Sequence, residues 1–295
     1  MSEIVVRSAD DLEGLLRKAR LAAILGTFQS TLTNFKYIRK VWKQNCEEER
    51  LLGVSLTGIL DHPLLSGKGD KQELKRWLNQ MREQVISTNA EFADSVGVSR
   101  STSVTAIKPS GTVSQVTDSA SGIHPRFARY YIRRVRQDVK DPITSLMKDA
   151  GVPWEADVMK PNNTVIFSFP MRSPDTAVLR DEMTAIEQLE LWITYLRHWT
   201  EHKPSITVYV REHEWMEVGA WCYKHFDELT GVSFLPYDNG TYRQAPYEEI
   251  TKETYEVMKA AMPATIDWSL ISLYEKTDST TGTQELACTA GGCEI

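Results

Sequence analysis

Residues 103–114 read SVTAIKPSGTVS, and this stretch constrains the fold more than any other part of the chain. Its first half, residues 103–108, is a short apolar run with β-branched residues, which predicts a strand. Its second half, residues 109–114, combines a proline, a glycine and three hydroxyl side chains, which is typical of a turn. The strand is therefore expected to end in a loop rich in backbone N–H and hydroxyl groups.

Strand and helix patterns alternate on both sides of this stretch. Further strands are predicted at residues 4–6, 53–60, 130–136, 164–169 (closed by Pro170), 205–210 and 231–236. Helices are predicted at residues 10–47 (with a break near Gly26), 70–92, 141–150, 180–201, 214–229 and 247–261. This alternation predicts a mainly parallel α/β architecture. We expect an ordered domain over residues 1–275 and a flexible C-terminal arm, rich in Thr, Ser and Gly, over residues 276–295.

The composition of the 295-residue chain excludes several classes of protein. Hydrophobic residues make up 41% and charged residues 25%, which suits a sizeable core and rules out global disorder. The net charge of −6 argues against a globally basic nucleic-acid binder. No apolar run reaches the roughly 18 residues of a membrane helix, and the acidic N-terminus is no signal peptide. Four cysteines are too few for a secreted disulfide scaffold, so we expect a cytoplasmic protein.

The loop after the 103–108 strand is the first candidate site. Backbone N–H groups and hydroxyls can cradle phosphate oxygens, and glycine lets the backbone approach a ligand closely. The loop is not a Walker A motif, and an ordinary turn is the alternative. The candidate residues are Pro109, Ser110, Gly111, Thr112, Val113 and Ser114.

The second candidate is the pair Cys288 and Cys293, in the sequence CTAGGC near the C-terminus. Two cysteines separated by small residues can close a disulfide, and on a flexible arm they could exchange with a distant site. Two incidental surface thiols are the alternative, and no further metal ligands lie in the tail. Cys46 and Cys222 lie in helical segments and are interpreted as structural thiols.

Histidine and arginine residues give two weaker signals. His124 precedes Pro125 and is followed by several arginines: Arg126, Arg129, Arg133, Arg134 and Arg136. They could bind an anionic substrate, or they could form a solvated strand with salt bridges and a structural histidine. His198 and His202 are spaced four apart at a helix end without an evident third ligand, which favours helix-surface residues.

Six motifs, in order along the chain, resemble the class II ribonucleotide reductases, which depend on adenosylcobalamin. The motifs are IVVRSADDLEGLLRKARLAAILGTFQSTLTNFKYIRKVW, EEERLLGVSLTGI, KPSGTVS, SGIHPRFARYYIRRVR, VSFLPYDNGTY and the final CTAGGC. The nearest likeness is to the monomeric type that reduces ribonucleoside triphosphates, with the diphosphate-reducing type as the alternative. The resemblance implies the C-terminal half of the ten-stranded α/β barrel of these enzymes, with a flexible C-terminal arm.

The resemblance also implies roles for two groups of residues. The loop Pro109–Ser114 matches the loop that holds the substrate phosphates. Cys288 and Cys293 match the dithiol that re-reduces the active-site disulfide and is itself reduced by thioredoxin. The family uses adenosylcobalamin to make a thiyl radical, which takes the 3′ hydrogen of the ribose before the 2′ hydroxyl leaves as water.

The finger loop that carries the radical cysteine and the catalytic glutamate has no counterpart in this sequence. In the family, a motif like Ser2–Arg7 follows that loop. The leading hypothesis is a split enzyme whose separate N-terminal half brings the finger loop and shares the cobalamin. The alternatives are an intein-separated fragment, and a non-catalytic nucleotide-binding or thiol-carrying fragment. The expected partners are the N-terminal half, a ribonucleotide, and thioredoxin or a similar dithiol reductant. Neither a membrane nor a nucleic acid is an expected partner.

Overall fold

The computed structural model describes residues 1–237 and 242–275. The strands are β1 (Ser2–Val5), β2 (Val54–Thr57), β3 (Tyr130–Asp138), β4 (Trp154–Ala156), β5 (Thr164–Arg172), β6 (Ser205–Val210), β7 (Gly231–Pro236) and β8 (Tyr247–Glu249). The α-helices are α1 (Leu12–Ser30), α2 (Lys40–Glu49), α3 (Lys71–Val96), α4 (Val113–Val116), α5 (Pro142–Asp149), α6 (Ala185–His198), α7 (Trp215–Lys224), α8 (Lys252–Ala261) and α9 (Ile271–Tyr274). None of the helices in these ranges is long and apolar enough to cross a membrane.

The chain divides into two compact units. The first contains Met1–Arg126 and Pro174–Tyr237, and it carries the parallel strands. The second contains Phe127–Ser173 and the described residues from 242 onward, and it carries an antiparallel sheet. The prediction of one ordered domain over residues 1–275 did not anticipate this division.

The first unit is built on parallel strands. β1 pairs with β2, and β6 pairs with β7, both in parallel. The extended residues 103–107 lie beside β2: Ala106 N–H donates to the Val54 carbonyl at 3.0 Å, and Val54 N–H donates to the Val104 carbonyl at 2.8 Å. On the other side, Ser205 N–H donates to the Ile107 carbonyl at 3.2 Å. The order is therefore β1, β2, residues 103–107, β6 and β7, and the described strands do not close into a barrel.

The 103–108 run is extended, as predicted, although it makes only one regular bridge, between Thr105 and Val54. Several of its other bonds go to segments outside the strands. Thr105, for example, accepts at its carbonyl from the N–H groups of Glu201 and His202, at 3.1 and 3.0 Å. Hydrogen bonds to loop residues thus replace part of the regular strand pairing that the sequence pattern predicted.

Helices cover one face of the parallel strands. Along β6, Ile206, Val208 and Val210 are buried, whereas Ser205 and Tyr209 are exposed. This period of two places one apolar row against the core and a more polar row on the opposite face. The largest side chains of that core come from α6 and the residue after it: Trp192, Tyr195 and Trp199 are essentially inaccessible to solvent.

The long helix predicted over residues 10–47 is two helices, and the break lies at residues 31–39 instead of at Gly26. Gly26 lies inside α1, where the helix closely approaches Leu52. A Cβ on Gly26 would lie 2.9 Å from Leu52 Cδ2, so the glycine serves this close packing and does not break the helix. The helix ends at Thr31, whose hydroxyl donates to the Phe28 carbonyl at 2.7 Å. A hydroxyl that competes for the backbone carbonyl favours this end.

The second unit contradicts the expectation of a mainly parallel architecture. Its strands have the order β4–β5–β3–β8, and every pair is antiparallel. The helix predicted from residue 247 begins only at Lys252, and β8 precedes it. Three-residue strands such as β4 and β8 leave too short an alternating pattern to be recognised in the sequence.

β5 also continues through Pro170, where the sequence predicted its end. Hydrogen bonds from Ser173 to Arg129 and from Val139 to Asn163 place the bonded pairs at odd-numbered residues of β3. Pro170 lies opposite Ile132, which is a non-hydrogen-bonded position. The missing proline N–H therefore costs no bond in the β3–β5 ladder.

Candidate functional site

The phosphate-loop candidate follows residues 103–107 at their carboxyl end, and its last two residues begin the single-turn helix α4. Ligands of parallel α/β sheets bind at the carboxyl ends of the strands, so this is a suitable position. Gly111 lies at the exposed tip, where a Cβ would meet nothing within 4 Å. Space for a ligand therefore exists next to the backbone there.

Three backbone donors are available at the tip. Within the described residues, the N–H groups of Gly111, Thr112 and Val113 have no protein acceptor, and the three residues are exposed. The Thr112 side chain makes no capping bond to α4. Successive N–H groups of this kind can bind an anion. The tip thus provides the part of the loop that a phosphate could reach directly.

The two serines of the loop are occupied by internal hydrogen bonds. Ser110 donates from its N–H to Ser121 Oγ at 2.7 Å, and from its hydroxyl to Glu3 Oε2 at 2.9 Å. The Ser114 hydroxyl donates to the Ser110 carbonyl, and Ser114 N–H donates to Ser110 Oγ at 3.3 Å. Both serines are buried. These two serines therefore hold the loop in its conformation, whereas Gly111, Thr112 and Val113 carry the N–H groups that a ligand could reach.

Glu3 brings a carboxyl group to this loop from β1. Burial raises the pKa of Glu3, and this effect exceeds the opposing effects of the Ser110 hydrogen bond and the Lys108 charge. Its second oxygen, Oε1, is buried without a hydrogen-bond partner among the described residues. A half-buried carboxyl with a raised pKa beside a candidate ligand loop is a feature of functional sites.

A buried ion pair anchors the chain that returns from the loop. Arg126 donates from Nε and Nη2 to the two oxygens of Asp61, both at 2.9 Å, and each side chain is only 6% exposed. Asp61 Oδ2 also accepts from Ala120 N–H at 2.8 Å. Arg126 reaches Asp118 as well, through Nη1 at 2.8 Å. Asp61, the last residue of the short 3₁₀ helix Ile59–Asp61 that follows β2, thereby fixes residues 118–126 behind the loop.

His124 is a structural histidine in the first unit. Its Nδ1 donates to the Ser121 carbonyl at 2.8 Å, and its Nε2 accepts from Thr207 N–H at 2.9 Å. These partners require the neutral imidazole with the proton on Nδ1. Burial lowers the pKa of His124. This favours the structural interpretation of the residue over anion binding.

The arginines of β3 are engaged inside the second unit. Arg134 pairs with Glu248, and Arg136 Nε donates to Asp157 Oδ2 at 3.0 Å. Arg133 lies on the opposite face, with its guanidinium carbon 4.5 Å from the centre of the Tyr247 ring. These contacts favour the salt-bridge interpretation of this strand over binding of an anionic substrate.

The cysteines, His198 and His202 add no further candidate site within the residues that the structure describes. Cys288 and Cys293 lie outside the described residues. Cys46 and Cys222 are free and partly buried, and burial raises the pKa of the Cys222 thiol. His198 is the last residue of α6 and contacts Asn79, whereas His202 lies four residues beyond that helix and contacts the Leu52 carbonyl. Across residues 1–237 and 242–275, no three His, Cys, Asp or Glu side chains are grouped so that they could bind a metal ion.

The sequence analysis missed two residues of this site, Glu3 and Asp61. Glu3 is 107 positions from Ser110 in the sequence, and Asp61 is 65 positions from Arg126. Neither lies in a recognisable motif with its partner. The only available signal was an acidic residue within or directly after an apolar strand, where a charge is seldom placed without a partner.

The mixed α/β fold is similar to part of a solved ribonucleotide reductase. A solved structure described as a B12-dependent (class II) ribonucleotide reductase matches 90% of this chain and 40% of its own, with a TM-score of 0.76 and 23% identity. The likeness is a likeness of fold, and it confirms the mixed α/β class. No protein-family model matches the chain.

Curated relatives give the same result from sequence. An adenosylcobalamin-dependent ribonucleoside-triphosphate reductase of Euglena gracilis is 29% identical over 96% of this chain. The Lactobacillus acidophilus protein of the same name is 25% identical over 91% of the chain. The chain spans 41% and 39% of these two relatives, in their C-terminal part. The predicted resemblance is thereby confirmed: this chain is homologous to the C-terminal part of these reductases.

Proposed function

We propose that this chain acts as the C-terminal part of an adenosylcobalamin-dependent ribonucleotide reductase that converts ribonucleotides, specifically triphosphates, to 2′-deoxyribonucleotides in the cytoplasm. The single observation that carries the proposal is the loop tip Gly111–Thr112–Val113. It presents three unpartnered N–H groups (among the described residues) at the carboxyl end of the parallel segment 103–107. The names of the relatives support the same reaction.

The loop would bind the substrate phosphates. The tip N–H groups and the Thr112 hydroxyl donate to phosphate oxygens, and Lys108, which is exposed next to the loop, adds a positive charge. The buried bonds of Ser110 and Ser114 keep the loop in shape before the ligand arrives.

The chain would need an N-terminal part as its partner. Among the described strands, β1 pairs only with β2, so its other edge has no partner. Leu21, Leu25 and Phe28 form a stripe on the adjacent helix α1 and are 61%, 53% and 57% exposed. An open edge beside an apolar stripe is the kind of surface that another chain or segment covers. We propose that the part bearing the finger loop, the radical cysteine and the catalytic glutamate packs here.

The cysteine pair and the cofactor complete the proposal. Cys288 and Cys293 would pass electrons from thioredoxin to the active-site disulfide. Adenosylcobalamin, when bound, supplies the radical that starts the reaction. We assign no cobalamin contact to individual residues of this chain and propose that the cofactor is shared with the N-terminal part.

The first experiment tests the loop. We expect the wild-type chain to bind ATP in isothermal titration calorimetry, and Thr112→Pro, which removes one tip N–H and the hydroxyl, to weaken binding at least about tenfold. The control is Thr102→Ala, which changes a threonine at the opposite end of the segment 103–107 and should leave ATP affinity unchanged. Equal affinity of the wild type and Thr112→Pro would contradict the loop assignment.

The second experiment tests the electron route. The chain, a matching N-terminal part, adenosylcobalamin and a ribonucleoside triphosphate are combined, and deoxyribonucleotide is measured. Changing Cys288 and Cys293 together to Ser should abolish thioredoxin-driven turnover and preserve one turnover by the prereduced complex. The double change of Cys46 and Cys222 to Ser is the control. Persistent thioredoxin-driven turnover without Cys288 and Cys293 would exclude the shuttle, and no activity with any matching N-terminal part would favour a non-catalytic fragment.

A further inference from the structure

The contact between Glu3 and Ser110 joins the first strand to the candidate phosphate loop. Ser110 has one hydroxyl proton, and that proton is donated to Glu3 Oε2. The Ser110 N–H is also used, by Ser121 Oγ. Ser110 therefore has no donor left for a phosphate as long as Glu3 accepts its hydroxyl.

The carboxyl group of Glu3 is poorly satisfied where it lies. Oε1 is buried and has no hydrogen-bond partner among the described residues. Burial raises the pKa of Glu3 because it outweighs the Ser110 hydrogen bond and the Lys108 charge, which both favour the ionised form. One hydrogen bond compensates only partly for the burial of a carboxylate. Another acceptor can therefore readily replace Glu3 as the partner of the Ser110 hydroxyl.

A carboxylate and a phosphate are both anionic acceptors, and in this loop they would compete for the same hydroxyl. The Ser110 Oγ to Glu3 Oε2 distance of 2.9 Å leaves no room for a third group between them. A phosphate that contacted Ser110 would lie about 6 Å or less from the Glu3 carboxyl carbon, where like charges repel appreciably.

From these contacts we propose that Glu3 is a resident anion of the loop: it occupies the Ser110 hydroxyl in the free chain and must release that hydroxyl when a polyphosphate binds. Glu3 thus sets the affinity of the loop for the triphosphate group of a nucleotide. The inference rests on the proposed function of residues 109–114 as a phosphate loop. It assigns Glu3 a role in affinity, opposed to the role of the tip donors.

The test measures binding of sodium tripolyphosphate and of ATP to the full chain by calorimetry. Glu3→Gln keeps the shape and removes the charge, and we expect it to bind both ligands about tenfold more tightly than the wild type. Glu13→Gln, an exposed residue of the first turn of α1, removes the same charge elsewhere and should stay within about twofold of the wild type.

A double-mutant cycle separates this role from a structural one. In the wild type the Ser110 hydroxyl is held by Glu3, so Ser110→Ala should change affinity little. In the Glu3→Gln background, where an amide competes less strongly for that hydroxyl, Ser110→Ala should cost several-fold more. Additive effects of the two changes would overturn the inference. Glu3→Ala, which cannot accept the hydroxyl at all, gives the same expected direction should the glutamine variant fold poorly.

The outcomes also separate this inference from the proposed function. Binding by the wild type with equal or weaker binding by both Glu3 variants would reject the role of Glu3 and leave the phosphate loop intact. No binding of either ligand by any variant, each folded by circular dichroism, would reject the phosphate loop and the role of Glu3 with it.

Discussion

The role of a single residue in this chain depends on partners that are distant in the sequence, and Arg126 is the strongest example. Grouped by sequence with the arginines that could bind an anionic substrate, it instead makes a two-pronged, buried pair with Asp61. Its burial also explains why it cannot serve a ligand directly: both of the groups that it neutralises belong to the protein. The residue supports the candidate loop by fixing the chain that follows it.

Arg126→Met should destabilise the first unit by about 3–5 kcal/mol, because it leaves the Asp61 carboxylate buried without a cation. Urea unfolding followed by tryptophan fluorescence measures the change. Arg100→Met is the matched control, since Arg100 also binds a carboxylate with two prongs, that of Asp94, but on the surface. Solvent screening makes the exposed pair far weaker. Similar midpoint shifts for the two variants would contradict the assigned role of burial.

His124 predicts a pH dependence of stability. Because its pKa is lowered in the folded chain, folding favours the neutral ring. The stabilisation is complete above the unfolded pKa of about 6.5 and is lost as the pH falls through the lowered folded value. We expect the free energy of unfolding to fall between about pH 7 and pH 5, and His124→Gln to remove part of that slope.

The control for this prediction is His213→Gln, which removes an exposed imidazole. It should leave the slope of stability against pH unchanged. An identical slope in the wild type and in His124→Gln would show that His124 does not carry the effect.

At the scale of elements, the end of β2 depends on one close approach. Gly58 has φ +83°, and a Cβ there would lie 2.3 Å from the Val6 carbonyl oxygen, just after β1. Gly58 N–H also donates to the Ala120 carbonyl at 2.6 Å, next to the returning chain. β1, β2 and residues 118–126 thus meet where only glycine fits.

Gly58→Ala should therefore destabilise the first unit by about 3 kcal/mol or more, since backbone must move to admit the methyl group. Gly97→Ala separates this clash from conformational strain. Gly97 ends α3 with φ +70°, but a Cβ there meets nothing within 4 Å, so its cost should be about 1 kcal/mol. Thermal unfolding of both variants gives the comparison, and equal losses would show that the contact with Val6 is unimportant.

At the scale of the whole molecule, the chain spans about 40% of its curated relatives and carries exposed apolar surface beside an open strand edge. We expect the isolated chain to self-associate through this surface as its concentration rises. Leu25→Lys combined with Phe28→Lys should shift the weight-average mass in sedimentation toward the 33.5 kDa of one chain.

Val257→Lys is the control for this prediction, because Val257 is 71% exposed on α8, in the second unit. It places a positive charge at an exposed apolar position without touching β1 or α1. A wild-type chain that stays monomeric at high concentration, or a Val257→Lys variant that dissociates as much as the double variant, would contradict the assignment of this surface.

The sequence alone determined the local structure and the candidate loop of this protein. Most helices and strands follow from periodicity and capping within a few residues; α5, for example, begins after Asp141, whose carboxylate caps the helix before Pro142. Residues 109–114 were recognisable because their glycine and hydroxyl side chains are contiguous. The six motifs together also indicated the family resemblance, since each is a local pattern.

Only the tertiary structure decided how distant segments meet. The antiparallel arrangement of the second unit, the Arg126–Asp61 pair and the Glu3–Ser110 contact all join residues far apart in the chain. Periodicity reports which face of an element is buried, and it carries no information about the element that covers that face. The physical reason is that hydrogen bonds and ion pairs depend on distance in space, and folding alone brings Glu3 to Ser110.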